Sequence, residues 1–247
     1  MGLPKNPRDS FCDRRNISDV TGRESLEFPS LAPDESELSP AGSLGNIKSS
    51  MGRENDYMTK QDILNLISEN KWMMDVLRTA EKLDLPDWVI GAGFVRNKVW
   101  DYLHGYNKPK VDTADIDLVY YDPNGNDEDA DEKLSKELEI KTGLNWEVVN
   151  EAYAHKWYTI KPPPYTSSED AVSKWPETAT CIGVRTENGK LKLMAPHGIE
   201  DLVNLIIRPS PAFIDKANVK NVVIERMEKK KWLEKWPKLK IVPGDSE

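Results

Sequence analysis

The chain has 247 residues, a net charge of −8 from 34 Lys+Arg against 42 Asp+Glu, and a mean hydropathy of −0.64. That suits one soluble domain with a less ordered extension, and the acidic balance speaks against non-specific nucleic-acid coating while leaving room for a local basic groove. No apolar run approaches the roughly 20 residues that span a bilayer, Met1-Gly2-Leu3-Pro4-Lys5 lacks the apolar core of a secretory leader, and Cys12 and Cys181 alone make neither a disulfide framework nor a cysteine zinc site, so a cytoplasmic protein without membrane contact is expected.

Residues 1–56 are rich in Ser, Pro, Gly and charge and show no apolar period. They cannot bury enough apolar surface to offset their ordering entropy, which predicts a disordered extension. A folded domain is expected over 57–240, with a tail over 241–247. Thr59 offers an N-cap, and Ile63, Leu64, Leu66, Ile67, Trp72, Met73, Val76, Leu77, Ala80 and Leu83 follow at helical spacing until Pro86. Trp88-Val89-Ile90 is a short buried strand that runs through Gly91-Ala92-Gly93 into a helix with Phe94, Val95, Val99, Tyr102 and Leu103 on one face. Glycines there let backbone N–H groups approach an anion, and the helix N-terminus adds its dipole. The dinucleotide fingerprint fails, because Arg96 stands where its third glycine belongs.

Ala114 to Tyr121 is β-branched and aromatic and is closed by Asp122-Pro123-Asn124-Gly125, which reads as a strand ending in a turn. Strand residues two apart share a face, so Asp115 and Asp117 project side by side. Two such carboxylates repel, and a divalent cation held with phosphate oxygens would neutralise them; an exposed acidic strand face is the competing reading. Asp127 to Lys141 predicts a helix, and Trp146-Glu147-Val148-Val149-Asn150 a further strand carrying a third acid, Glu147, with Glu151 as its rival. Two-ion phosphoryl chemistry uses carboxylates in this way.

Glu151 to His155 reads as a short helix, Trp157 to Ile160 as a strand, and Lys161-Pro162-Pro163-Pro164-Tyr165 as extended loop. Asn188-Gly189 between two strand-like runs predicts a hairpin. Arg185 on its first strand either reaches a phosphate or is a solvated edge charge. Cys181 reads as a small core residue, and His104, His155 and His197 as cap or loop residues, since no second ligand sits at metal spacing. Asp215 to Trp236 is helical, with Lys229-Lys230-Lys231 suited to its C-terminal dipole.

Gly91-Ala92-Gly93-Phe94-Val95-Arg96-Asn97, Asp115-Ile116-Asp117-Leu118-Val119 and Trp146-Glu147-Val148-Val149-Asn150 together resemble a family of bacterial and fungal nucleotidyltransferases within the DNA polymerase-β-like superfamily. Thr178 to Arg185, Ala195 to Leu202, Arg208-Pro209 and Trp236 to Leu239 are similar to its later blocks. The resemblance implies an α+β fold with a mixed sheet flanked by helices. It also implies Mg²⁺-dependent transfer of a nucleoside monophosphate from an NTP, with Asp115 and Asp117 as metal ligands and Mn²⁺ as an alternative ion. Gly91-Ala92-Gly93 departs from the Gly-Ser or Gly-Gly turn of the wider superfamily, so the triphosphate would be gripped by backbone amides and Arg96. The acceptor is unspecified: a small hydroxylated molecule, an RNA end or a protein side chain. The rival readings are a silent nucleotide-binding or regulatory module, and a nucleic-acid binder using the basic C-terminal helix.

Overall fold

The computed structural model describes residues 57–242 except 112, 114, 126–127, 155–162 and 215–218. The extension expected over 1–56, the strand over Trp157–Ile160 and all but the start of the tail lie outside the described residues.

The described chain enters through α1 (Lys60–Ser68), where Thr59 and Asp62 cap each other reciprocally in a capping box. Asn70 then caps α2 (Lys71–Glu81) by accepting from the Met73 amide, so one apolar run of sequence becomes two helices. A strand, β1 (Val89–Gly91), leads at once into α3 (Gly93–Leu103). After β2 (Ile116–Tyr120), α4 (Glu128–Thr142) crosses over to β3 (Trp146–Asn150), and the short helices α5 (Glu151–Ala154) and α6 (Ser168–Val172) lead to the hairpin β4 (Gly183–Glu187) and β5 (Lys190–Met194). Asn188 and Gly189 at its tip both have positive φ (52° and 71°), as a two-residue turn of mirror-image type requires.

These strands form one mixed sheet in the order β3-β2-β1-β4-β5. β2 and β3 run parallel and the other neighbours antiparallel, which is why the β2–β3 link needs a helical crossover. Asp131 of α4, buried, accepts hydrogen bonds from the Tyr120 hydroxyl and the Asn150 amide, both at 2.6 Å. It thereby fastens the crossover helix to the ends of both parallel strands.

Side-chain alternation splits the sheet into two faces. Ile90, Leu118, Val148 and Val184 join the larger core with α1, α2 and α3, while Val89, Val119 and Val149 meet Ala171, Val172, Trp175 and Cys181 on the other face. Two-faced alternation explains why Asp117 and Glu147 share the face of Val119 and Val149. The expectation of one buried face for α3 is corrected, because nearly all of its residues from Gly93 to Asp101 are buried, including Arg96, Asn97 and Asp101. The helix is enclosed by the sheet, by α1, by α7 (Glu200–Val203) and by the tryptophans of the C-terminal segment.

Beyond α7, β6 (Ile206–Ile207) and α8 (Pro211–Ile214) precede α9 (Val219–Lys229) and α10 (Trp232–Lys235). The single helix expected to run to Trp236 is interrupted at Lys231, which takes φ 54°. A final strand, β7 (Lys240–Ile241), pairs in parallel with β6, so residue 241 is part of the folded body. No described helix is long and apolar enough to cross a membrane.

Candidate active site

The β1–α3 turn is built by close packing. A Cβ on Gly91 would stand 2.5 Å from the Trp175 ring and 3.0 Å from the Ile182 carbonyl, and one on Gly93 would stand 2.7 Å from Thr113 Oγ1. Glycine is therefore required at both positions for space. The positive φ falls between them, on Ala92 (φ 49°, ψ −121°), a conformation costly for a residue with a side chain. The Ala92 amide donates to the Ile182 carbonyl at 2.9 Å, and its carbonyl accepts from Arg96 N–H at 2.9 Å. Ala92 brings no side-chain cap to the helix, so the amides of the first turn of α3 open toward the same end of the sheet as the acids.

Register then brings the acids to the turn. Ile90 pairs with Leu118, which carries Gly91 to the level of Asp117, and Asp117 pairs with Glu147 on the neighbouring strand. Asp115 occupies the bend just before β2, where its carbonyl accepts from Thr113 Oγ1 at 2.8 Å. One carboxylate oxygen from each of Asp115, Asp117 and Glu147 lies within 4.8 Å of the others, and all three residues are half-buried. Three hard, anionic oxygen donors converging at a partly solvated spot suit a divalent cation such as Mg²⁺ that keeps waters and phosphate oxygens as its other ligands. Glu151, the rival third acid, is buried in α5 and stands outside the trio.

The two arginines fare differently. Arg96 is buried at 3% exposure; Nε and Nη2 donate to Asn97 Oδ1 (3.1 and 3.0 Å) and Nη1 to Thr180 Oγ1 (2.7 Å). Its guanidinium lies over the Trp232 ring, 4.2 Å from the centroid, and 5.1 Å from that of Trp100. Desolvation lowers its pKa to about 10, opposed by Glu177 and more weakly by Asp117 and Asp115, while Arg226 adds to the lowering. It is thus a buried positive charge behind the turn, and its side chain faces core partners. Arg185 is two residues along β4 from Gly183, the partner of Gly91, and pairs with Asp87 (3.0 Å) and Glu187 (3.3 Å). It borders an open concavity of about 380 Å³ with Asp87, Trp88, Thr186 and Glu187 at the other end of β1, and the structure does not bring it to the carboxylates.

Glu177, Thr180, Arg226 and Lys230 were not singled out individually from the sequence. Glu177, 1% exposed, accepts from Thr180 Oγ1 (2.8 Å) and Arg226 Nε (3.1 Å), completing a chain from Arg96 through Thr180 and Glu177 to Arg226. At Lys230, at the end of α9, desolvation and then Arg226 and Arg96 push the ammonium pKa below its ordinary value, while Asp115 and Asp117 oppose them. The helix-dipole reading of the lysine run had no means of singling it out.

Comparison with known proteins agrees with this arrangement. The family model described as nucleotidyltransferase matches residues 78–241. A solved structure described as a CCA-adding enzyme head domain is 34% identical with a TM-score of 0.67, covering 75% of this chain and 96% of that one. A Thermotoga maritima CCA-adding enzyme complexed with tRNA is 16% identical (TM-score 0.45; 73% of this chain, 42% of that one). A CCA-adding enzyme complexed with CTP is also 16% identical (TM-score 0.41; 70% and 47%). No curated protein matches. A mixed sheet with a glycine turn facing three carboxylates defines a polymerase-β-like nucleotidyltransferase fold. The chain belongs to the nucleotidyltransferase family and is a transferase.

Proposed function

We propose that the protein transfers a nucleoside monophosphate from an NTP to a hydroxyl-bearing acceptor, with Mg²⁺ held by Asp115, Asp117 and Glu147. The observation that carries this reading is the convergence of three carboxylate oxygens within 4.8 Å beside the Gly91–Gly93 turn. Mg²⁺ bound there supplies neutralisation of phosphate charge and a lowered pKa for the attacking hydroxyl. The first-turn amides of α3 receive the phosphates, helped by the helix dipole and the buried charge of Arg96. The acceptor oxygen forms a bond to the α-phosphorus as the bond to the bridging oxygen breaks, and pyrophosphate leaves with that electron pair. In this reading Glu147 takes the hydroxyl proton, directly or through water.

Among acceptor classes, the 34%-identical relative described as a CCA-adding enzyme head domain favours an RNA 3′ end over a small molecule or a protein side chain. The test is incubation with each α-labelled NTP, Mg²⁺ and an RNA carrying a free 3′ hydroxyl, with small hydroxylated molecules and a protein extract in parallel. Labelled RNA and released pyrophosphate are expected from the wild type and from neither Asp115→Asn nor Asp117→Asn. NTP binding without pyrophosphate release under every condition would make the protein a silent nucleotide-binding module instead.

A further inference from the structure

We propose that Thr113 is a positioning residue: its hydroxyl fixes the place of Asp115 in the carboxylate trio and spaces that acid from the glycine turn. The assignment rests on the metal-binding reading above and adds to it a residue that acts through the backbone of Asp115.

The three acids are not held alike. Asp117 and Glu147 lie inside paired strands and face each other in the β2–β3 register. Asp115 stands one residue before β2, outside that ladder. What holds it is the peptide that joins it to Ile116. On one edge the Ile116 amide donates to the Asn145 carbonyl at 2.8 Å; on the other the Asp115 carbonyl accepts from Thr113 Oγ1 at 2.8 Å. With this rigid plane held on both sides, little rotation about ψ of Asp115 remains, and the direction in which its side chain leaves the backbone is set.

Thr113 is itself held in place. Its amide donates to the Val111 carbonyl at 3.0 Å in a three-residue turn, and Val111 is buried in the larger core. Just upstream, the Pro109 carbonyl accepts from Asn70 Nδ2 at 3.2 Å. A threonine, branched at Cβ, has little χ1 freedom, so its hydroxyl is presented in one direction. The glycine turn stands on the other side of that hydroxyl, since the Cβ that Gly93 lacks would lie 2.7 Å from it. One side chain therefore packs against the first residue of α3 while bonding to the first acid of the trio.

The two common hard cations respond differently to a displaced ligand. Mg²⁺ demands near-octahedral geometry at short distances, whereas Ca²⁺ accepts irregular oxygen sets. A loosened Asp115 costs Mg²⁺ more than Ca²⁺, and that difference separates positioning from general support of the fold.

The experiment is calorimetric titration of the full chain with Mg²⁺ alone and with Ca²⁺ alone. The proteins are the wild type, Thr113→Val, Thr113→Ser, Gly93→Ala and the double variant Thr113→Val with Gly93→Ala. Thr113→Val keeps the shape and removes the donor; it is expected to weaken Mg²⁺ by about three- to tenfold, the share of one hydrogen bond, and Ca²⁺ by less than about twofold. Thr113→Ser, which keeps the hydroxyl, is expected to bind both ions within about twofold of the wild type. In Gly93→Ala the new methyl group pushes the hydroxyl off the Asp115 carbonyl, so it should repeat the Thr113→Val pattern. The double variant should then bind Mg²⁺ no more weakly than the worse single one, because both changes break the same link. Unchanged Mg²⁺ affinity in Thr113→Val, an equal loss for Ca²⁺, no recovery in Thr113→Ser or additive losses in the double variant each overturn the assignment. Should Thr113→Val fail to fold, the Mg²⁺ and Ca²⁺ affinities of Gly93→Ala decide it in the same way. Wild-type protein that binds neither ion overturns the metal-binding reading itself.

Discussion

Asp117 and Glu147 are register partners across the parallel β2–β3 ladder, so their proximity is set by backbone hydrogen bonds and not by side-chain packing. Replacing either acid by its amide leaves the ladder untouched. We expect Asp117→Asn and Asp115→Asn to lower transfer by about 10³-fold or more, because the positioned charge for the phosphates is lost. The apo melting temperature should stay near wild type, while the rise in Tm produced by Mg²⁺ with an NTP analogue disappears. Thermal unfolding with and without these ligands, alongside pyrophosphate release, checks both halves.

The turn at Ala92 stores backbone strain. Ala92→Gly should stabilise the protein by about 1 kcal/mol, the relief of a positive-φ alanine less the extra freedom glycine gives the unfolded chain. Gly91→Ala should do the reverse by about 1–3 kcal/mol, since the Trp175 ring and the Ile182 carbonyl leave no room for a methyl group. Urea unfolding of the two variants reads opposite signs at adjacent positions.

Much of this architecture was legible in the sequence, for reasons the structure makes clear. The β2 and β3 strands, the crossover helix and the hairpin carry strong local signals, and the Asp-x-Asp spacing needs only strand alternation to put two acids together. The glycines were read as giving the backbone freedom to approach an anion. Their structural reason is contact with Trp175 and Thr113, and the unusual dihedral went to the alanine. Arg96 was read as part of the triphosphate grip because it follows the glycine turn; its burial could not be read, because Trp232, which covers it, lies far along the chain. The Glu177–Arg226 link was invisible for the same cause: contacts across such separations leave no periodicity to read.

Glu177 compensates two arginines at once. Glu177→Gln leaves Arg226 and the buried Arg96 without their nearest carboxylate and should cost about 3 kcal/mol of stability, far more than a surface ion pair. Because the pair is buried, that loss should change little between low and high salt in chemical denaturation.

Alkaline stability should depend on Tyr120. Burial and the hydrogen bond to Asp131 raise its phenol pKa well above the ordinary 10.0. The folded state therefore keeps its proton where the unfolded chain has lost it, so this group's contribution is whole below about pH 10 and declines as pH climbs beyond that. Tyr120→Phe should be less stable at neutral pH, through the lost hydrogen bond to Asp131, and show a flatter fall above pH 10 in urea titrations.

The Trp236 indole donates to Asp101 at 2.8 Å across 135 residues of chain, and Trp232 covers Arg96 from the same late segment. During synthesis, the glycine bend and its acids would emerge long before the tryptophans that clamp the helix between them. A nascent chain is then expected to leave the first turn of that helix without its support until the segment carrying Trp232 and Trp236 has emerged.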